Sequence, residues 1–168
     1  MLCVIAKIDN AATERLQELC KIAEEFCLPA RKLHGHITLI SYIGPHETLF
    51  IQQCKNILRH HRSFAVHYHS VEVLRSTPNI VALPELSQEL ITLHHALASA
   101  APSELDSWSS TTLWRPHTTL LSHTEADLQA IAQVMQSCFT PFSAQVSSVE
   151  FSKVTDNGYE IIDSIQLA

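Results

Sequence analysis

The chain passes through one series of elements twice, and that repetition restricts its fold more than any single residue does. Phe64-x6-Val71-Glu72 returns as Phe142-x6-Val149-Glu150, and Ser70-Val71-Glu72 returns as Ser148-Val149-Glu150, 78 positions later. Upstream of each copy stands a second matched pair, Gly35-His36-Ile37-Thr38-Leu39-Ile40 and Pro116-His117-Thr118-Thr119-Leu120-Leu121, offset by 81. Each half reads as helix, His-Thr strand, helix, hairpin. The repeat halves are roughly 1–83 and 84–168 of one 168-residue domain. A duplicated unit puts its two motif strands in equivalent positions of two lobes, with one cleft between them.

Periodicity assigns the elements. Residues 2–8 read as a buried strand. From Asn10 to Phe26, apolar residues at Ala12, Leu16, Leu19, Ile22, Ala23 and Phe26 predict a helix capped by Asn10 or Thr13. The first motif strand covers 36–43 and stops at Gly44-Pro45, and a helix follows over about His46–Arg59. Phe64–Leu74 and Ile80–Leu83 read as strands about a Thr77-Pro78-Asn79 turn, and Pro84 is expected to open a helix that reaches about Ala100. Residues 101–112 are polar and Ser-rich, a loop. The second motif strand spans about 115–122, a helix Glu125–Cys138, and strands at 142–154 and 159–167 close the chain around Asp156-Asn157-Gly158.

Composition excludes several classes. With 46% hydrophobic and 17% charged residues, the chain suits a compact core and not a disordered segment. No apolar run approaches the roughly 18 residues of a membrane span. The start, Met1-Leu2-Cys3-Val4-Ile5-Ala6-Lys7, reads directly as a strand without a basic leader, so no secretory signal is expected. Cysteines 3, 20, 27, 54 and 138 are odd in number and lack metal-type spacing, so reduced core thiols in a cytoplasmic protein are expected; separately, the chain is expected to be a monomer. A net charge of −6 argues against long duplex nucleic acid, which needs many exposed cations. A small phosphate ester or an oligonucleotide end needs only one or two. Lys7, Arg31, Lys32 and Arg115 are the candidates, and Arg115, two residues before His117, is taken as a substrate contact.

On a strand, side chains at i and i+2 share a face, so each motif would present an imidazole beside a hydroxyl. The 11 His of this chain make about 0.8 His-x-Thr triplets expected by chance. A third triplet, His46-Glu47-Thr48, opens a helical segment, where those side chains diverge; His46 reads as a helix-start residue. The matched pair in strand context carries the signal. Two imidazoles that exchange a proton, flanked by two hydroxyl donors, suit the breaking of a phosphodiester without a metal.

Paired His-x-Thr strands near one quarter and two thirds of the length, together with Trp114-Arg115-Pro116-His117, resemble the 2H phosphoesterase superfamily, which contains 2′-5′ RNA ligase-like proteins and RNA 2′,3′-cyclic phosphodiesterases. The resemblance spans nearly the whole chain. It implies an α+β fold of two pseudo-symmetric lobes, each an antiparallel sheet with helices on its outer face, and a central cleft carrying both motifs. It makes His36 and His117 the acid–base pair, with His36 the acid and His117 the base, and Thr38 and Thr119 the donors to phosphate oxygens. It implies opening of 2′,3′-cyclic phosphates of nucleotides or RNA ends, reversible as 2′-5′ ligation, with no cofactor. The chain departs from many relatives after the second motif: Leu121-Ser122-His123 stands where they carry Ala-Arg, so that extra contact is not carried over.

Two other readings compete. A non-catalytic nucleotide- or phosphate-binding domain would keep the cleft without turnover. A metal-dependent hydrolase would draw on His34, His36 and His123, although no local carboxylate completes that set. His60-His61 and His94-His95 are expected at the surface. Trp108, Trp114, Tyr42 and Tyr68 are candidates to stack a base, with core packing the expected role for most of them.

Overall fold

The computed structural model describes residues 1–74, 77–110, 112–155 and 158–168. Its strands are β1 (Leu2–Ile8), β2 (His36–Tyr42), β3 (Phe64–Leu74), β4 (Asn79–Pro84), β5 (Thr118–Ser122), β6 (Phe142–Thr155) and β7 (Gly158–Gln166). Its helices are α1 (Asn10–Lys21), α2 (Glu47–Leu58), α3 (Gln88–Ala98) and α4 (Leu128–Cys138), with 3-10 turns at Ile22–Phe26 and Ser107–Ser109. The series β-α-β-α-β therefore runs twice, β1 through β3 and then β4 through β6, so by element order the second half begins with β4 and not near residue 84.

All pairings are antiparallel, in the order β2-β1-β6-β3-β4-β5, with β7 also on β6. The long β6 joins the lobes. One edge pairs with β3 through Phe142–Val146 and then with β7 through Ser148–Thr155, while the other pairs with β1. The lobes thus exchange strands: β1 takes β6 from the second half, and β4 takes β3 from the first. In the β3–β6 ladder Val66 lies opposite Ala144, 78 residues away, the offset of the Ser-Val-Glu echo. The two lobe sheets are fused through that shared strand.

Bulges recur at matched places. The registers leave Leu39 unpaired in β2 and Leu120 in β5, and leave His69 unpaired in β3 and Ser147 in β6. An extra residue bends a strand and increases its twist. The sheet curls until its two outer strands meet: Thr118 Oγ1 donates to the His36 carbonyl at 2.7 Å, and Trp114 Nε1 donates to the Thr38 carbonyl at 3.0 Å. One face of β1, through Leu2, Val4, Ala6 and Ile8, is buried beneath the helices, where Leu16, Leu90, Leu93 and Leu97 complete the core. Cys3 and Lys7 are half-buried on the other face.

Local chemistry corrects several boundaries. Asp9, not Asn10 or Thr13, caps α1: its carboxylate accepts from Ala12 N at 2.9 Å and from Gln145 N at 2.6 Å. The expected helix to Phe26 tightens into a 3-10 turn at Ile22 and ends at Cys27, whose φ is 59°. Pro84 closes β4 opposite Tyr68 instead of opening a helix; α3 begins after Ser87, whose hydroxyl accepts from Leu90 N. Helix α4 starts at Leu128, capped by Asp127, and not at Glu125. The ladder of β5 begins at Thr118, after Pro116. Loop 101–112, read as a polar connection, docks on the open edge of β2: Ser41 N donates to the buried Ser109 hydroxyl, and Asp106 N donates to the Ser41 carbonyl. The Asp156-Asn157 turn lies outside the described residues. The five cysteines are free, yet only Cys20 and Cys54 are buried; Cys27 and Cys138 are exposed. Among the described residues no helix is long and apolar enough to cross a membrane.

Candidate active site

The two motifs fold alike. From the His onward both run half-buried, buried, half-buried, buried, buried, so His36 shares a face with Thr38, and His117 with Thr119. The bulges at Leu39 and Leu120 then let two successive apolar residues sink into the core. Gly35 lets the chain enter β2: a Cβ there would collide with Thr13 and Ile8.

The imidazoles are held in the same way. His36 Nδ1 donates to the His34 carbonyl at 2.6 Å, and His117 Nδ1 donates to the Arg115 carbonyl at 2.8 Å. A carbonyl only accepts, so both neutral rings carry their proton on Nδ1 and leave Nε2 as an acceptor, without a protein partner among the described residues. Among the described residues, no protein group engages the Thr38 or Thr119 hydroxyl. Burial drives the His36 imidazole down from 6.5 to about 4; its bond to the His34 carbonyl resists, while His34, Arg31 and Lys7 add to the fall. Burial lowers His117 as well, opposed by the Arg115 carbonyl and aided by the Arg115 guanidinium.

Cross-lobe bonds bring the motifs together. The single Thr118 hydroxyl proton goes to the His36 carbonyl, so Tyr68 OH donates to Thr118 Oγ1 at 2.6 Å. Thr38, Arg115 and His117 line one cavity of about 320 Å³, with Trp108, Leu113 and Asn79 on its other walls. That volume lies at the low end of small-molecule sites. His36 and Thr119 lie outside this lining, each one same-face step along its strand from a residue that lines it. The His36 ring instead sits 5.7 Å from the His34 ring and 6.1 Å, edge-on, from that of Tyr159.

The aromatic candidates divide. Tyr42 and Tyr68 are core residues, the former stacked on Phe50. Trp114 is stacked on His94 with centroids 3.9 Å apart, its N–H committed to the Thr38 carbonyl. Trp108 is 56% exposed at the cavity wall. His94, expected at the surface, is fully buried and bonds the Leu39 carbonyl through Nδ1 at 2.8 Å. Sequence reasoning missed this support of the β2 bulge, although Leu90, Leu93 and Leu97 place position 94 on the apolar side of α3. Of the metal candidates, His34 is bonded to Glu150 and Lys7, and His123 Nδ1 accepts from the N–H groups of Glu125 and Ala126.

A model of the 2′-5′ RNA ligase superfamily matches residues 7–158. No curated protein shows significant sequence similarity to the chain. Among solved structures, TT0787 of Thermus thermophilus aligns with a TM-score of 0.72 at 16% identity, over 99% of this chain and 97% of that one. LigT of E. coli, complexed with 3′-AMP, aligns at 0.63 and 14% identity, over 99% and 96%. A third structure, described as a phosphoesterase, aligns at 0.61 and 14% identity, over 99% and 98%. At these identities the likeness is one of fold.

Proposed function

Because the chain belongs to the 2′-5′ RNA ligase superfamily, a group of enzymes of the 2H phosphoesterase kind, we propose that it is a metal-independent cyclic phosphodiesterase opening 2′,3′-cyclic phosphates of nucleotides or RNA ends. One observation carries the reading: two imidazoles, on matched strands that touch across the sheet's outer edges, have the same Nδ1-to-carbonyl bond and the same acceptor Nε2.

In this reaction a water oxygen bonds to phosphorus as the phosphorus–sugar oxygen bond breaks. One Nε2 takes the water proton, and the other, protonated, supplies a proton to the departing oxygen. We assign the base to His36, whose buried and cation-flanked ring favours the neutral form; the acid role then falls to His117, although burial and the Arg115 guanidinium lower it too. This reverses the order that the family resemblance implies. Thr38 and Thr119 donate to the non-bridging oxygens as charge grows there, and Arg115 faces the phosphate from the cavity wall. Trp108 offers its exposed ring to a nucleobase. The reverse direction, joining a cyclic phosphate end to a hydroxyl, uses the same groups, because the strained ring stores the energy.

The test is turnover of 2′,3′-cyclic AMP in EDTA. Each of His36→Ala and His117→Ala is expected to lose roughly 10²–10⁴-fold in kcat. Equal activity in all three proteins, or no wild-type turnover across a panel of cyclic nucleotides and oligonucleotides, overturns the reading. Thermal stabilisation by nucleotides without any turnover favours a binding domain.

A further inference from the structure

The Ser-Val-Glu echo has no part in the chemistry just described, yet its two glutamates occupy equivalent places beside the two motifs. Glu150 of β6 lies across Ile5 from Thr38, and Glu72 of β3 lies across Val81 from Thr119. Each row therefore reads glutamate, apolar residue, motif threonine, once in each lobe.

Their side chains reach corresponding targets. Glu150 Oε2 accepts from His34 Nε2 at 2.6 Å, and Glu72 Oε2 accepts from Arg115 Nη2 at 2.8 Å. His34 and Arg115 are the residues whose carbonyls receive the Nδ1 protons of His36 and His117. Both precede the ladders of β2 and β5, where strand pairing does not hold the backbone. In the first lobe Lys7 Nζ also donates to His34 Nδ1, at 3.3 Å, which leaves His34 Nε2–H to meet the carboxylate.

We propose that Glu72 and Glu150 are a matched pair of positioning residues, which hold Arg115 and His34 so that their carbonyls fix the ring orientation and tautomer of His117 and His36. The proposal rests on the two-His reading for its kinetic consequence, but its structural consequence is independent of it. Stability is a poor explanation for the pair at Arg115, whose partners are 49% and 46% exposed, because half-exposed ion pairs add only about 0–1 kcal/mol. The substrate does not need these carboxylates either; a negative charge near a phosphate repels it. Each carboxylate does hold the residue whose carbonyl receives a motif imidazole's Nδ1 proton.

The experiment compares Glu72→Gln and Glu150→Gln with wild type on 2′,3′-cyclic AMP and by imidazole nitrogen NMR. Each variant is expected to lose roughly 10-fold or more in kcat, the lower end of what outer-shell partners contribute at other sites, with KM changed less than about twofold. In the Arg115→Ala background the additional loss from Glu72→Gln should disappear, and likewise for Glu150→Gln in the His34→Ala background, because each glutamate acts through that neighbour. The spectra should show His36 and His117 as Nδ1–H tautomers in wild type and a mixture at the affected ring in each variant. Unchanged tautomers in both variants overturn the proposal, as does a Glu72→Gln loss that persists in full without Arg115. So does a gain in kcat/KM from Glu72→Gln, which would mean the glutamate only withholds Arg115 from substrate. If His36→Ala and His117→Ala retain full activity, the two-His reading fails, while the tautomer spectra still decide the positioning.

Discussion

Replacing His36 with Asn removes one titrating group while keeping a donor near the place of Nδ1, and its effect on stability should depend on pH in a defined direction. In the folded protein His36 is pushed from 6.5 to about 4, chiefly by burial. The unfolded chain therefore binds a proton at this site at higher pH than the folded protein does. A group lowered in this way contributes stability that is present above about pH 6.5 and is lost as the pH falls toward 4. At about 1.4 kcal/mol per pH decade, the contribution lost between pH 7.5 and 4.5 is about 2.5 kcal/mol at most. That is a sizeable part of the 5–15 kcal/mol typical of a domain. Urea unfolding of wild type and His36→Asn at pH 7.5, 5.5 and 4.5 measures it, since every other histidine is common to both. Wild type should lose stability relative to the variant on acidification, by about 2 kcal/mol over this range. A gap that stays constant within about 0.5 kcal/mol, or a His36 ring proton titrating near 6.5 by NMR, refutes both the burial argument and the assignment of His36 as base. With the ring at about 4, only about one free molecule in a thousand carries a charged His36 at pH 7.

Two other substitutions probe different links. Trp108→Ala should raise KM for a cyclic nucleotide by roughly 5- to 100-fold, the worth of one base–aromatic stack; because Trp108 is 56% exposed, the melting temperature should hardly move, and an unchanged KM removes it from the site. Thr118→Val should cost about 1–3 kcal/mol in a denaturant titration and reduce turnover, because the buried Tyr68 hydroxyl and the His36 carbonyl each lose their partner; a variant as stable as wild type would mean that this cross-lobe bond is not holding the outer strands together.

Much of the fold was legible because its periodicities are local. Alternation and helical spacing mark the strands and helices, and the boundaries that slipped are those set by capping: Asp9, Ser87 and Asp127 take N–H groups that periodicity cannot weigh. The pairing of His36-Ile37-Thr38 with His117-Thr118-Thr119 was legible because duplication repeats a pattern at constant offset. Less legible were groups whose role depends on a partner far along the chain. His94 reads as one of two surface histidines until Trp114 is stacked on it. Ser109 lies in a polar loop until Ser41 N needs an acceptor at the open edge of β2.

What the linear order determined by itself is the repeated unit: two strands of one kind, each presenting an imidazole and a hydroxyl on one face, because side-chain alternation along a strand is a property of neighbouring residues. What only the tertiary structure decided is how those strands are used. Bulges at Leu39 and Leu120 curl the sheet so that its outermost strands meet, burial moves His36 far from its ordinary titration range, and Glu72 and Glu150 reach residues 43 and 116 positions away in the chain. Each of these depends on through-space distance and on the exclusion of water, neither of which is a function of sequence separation.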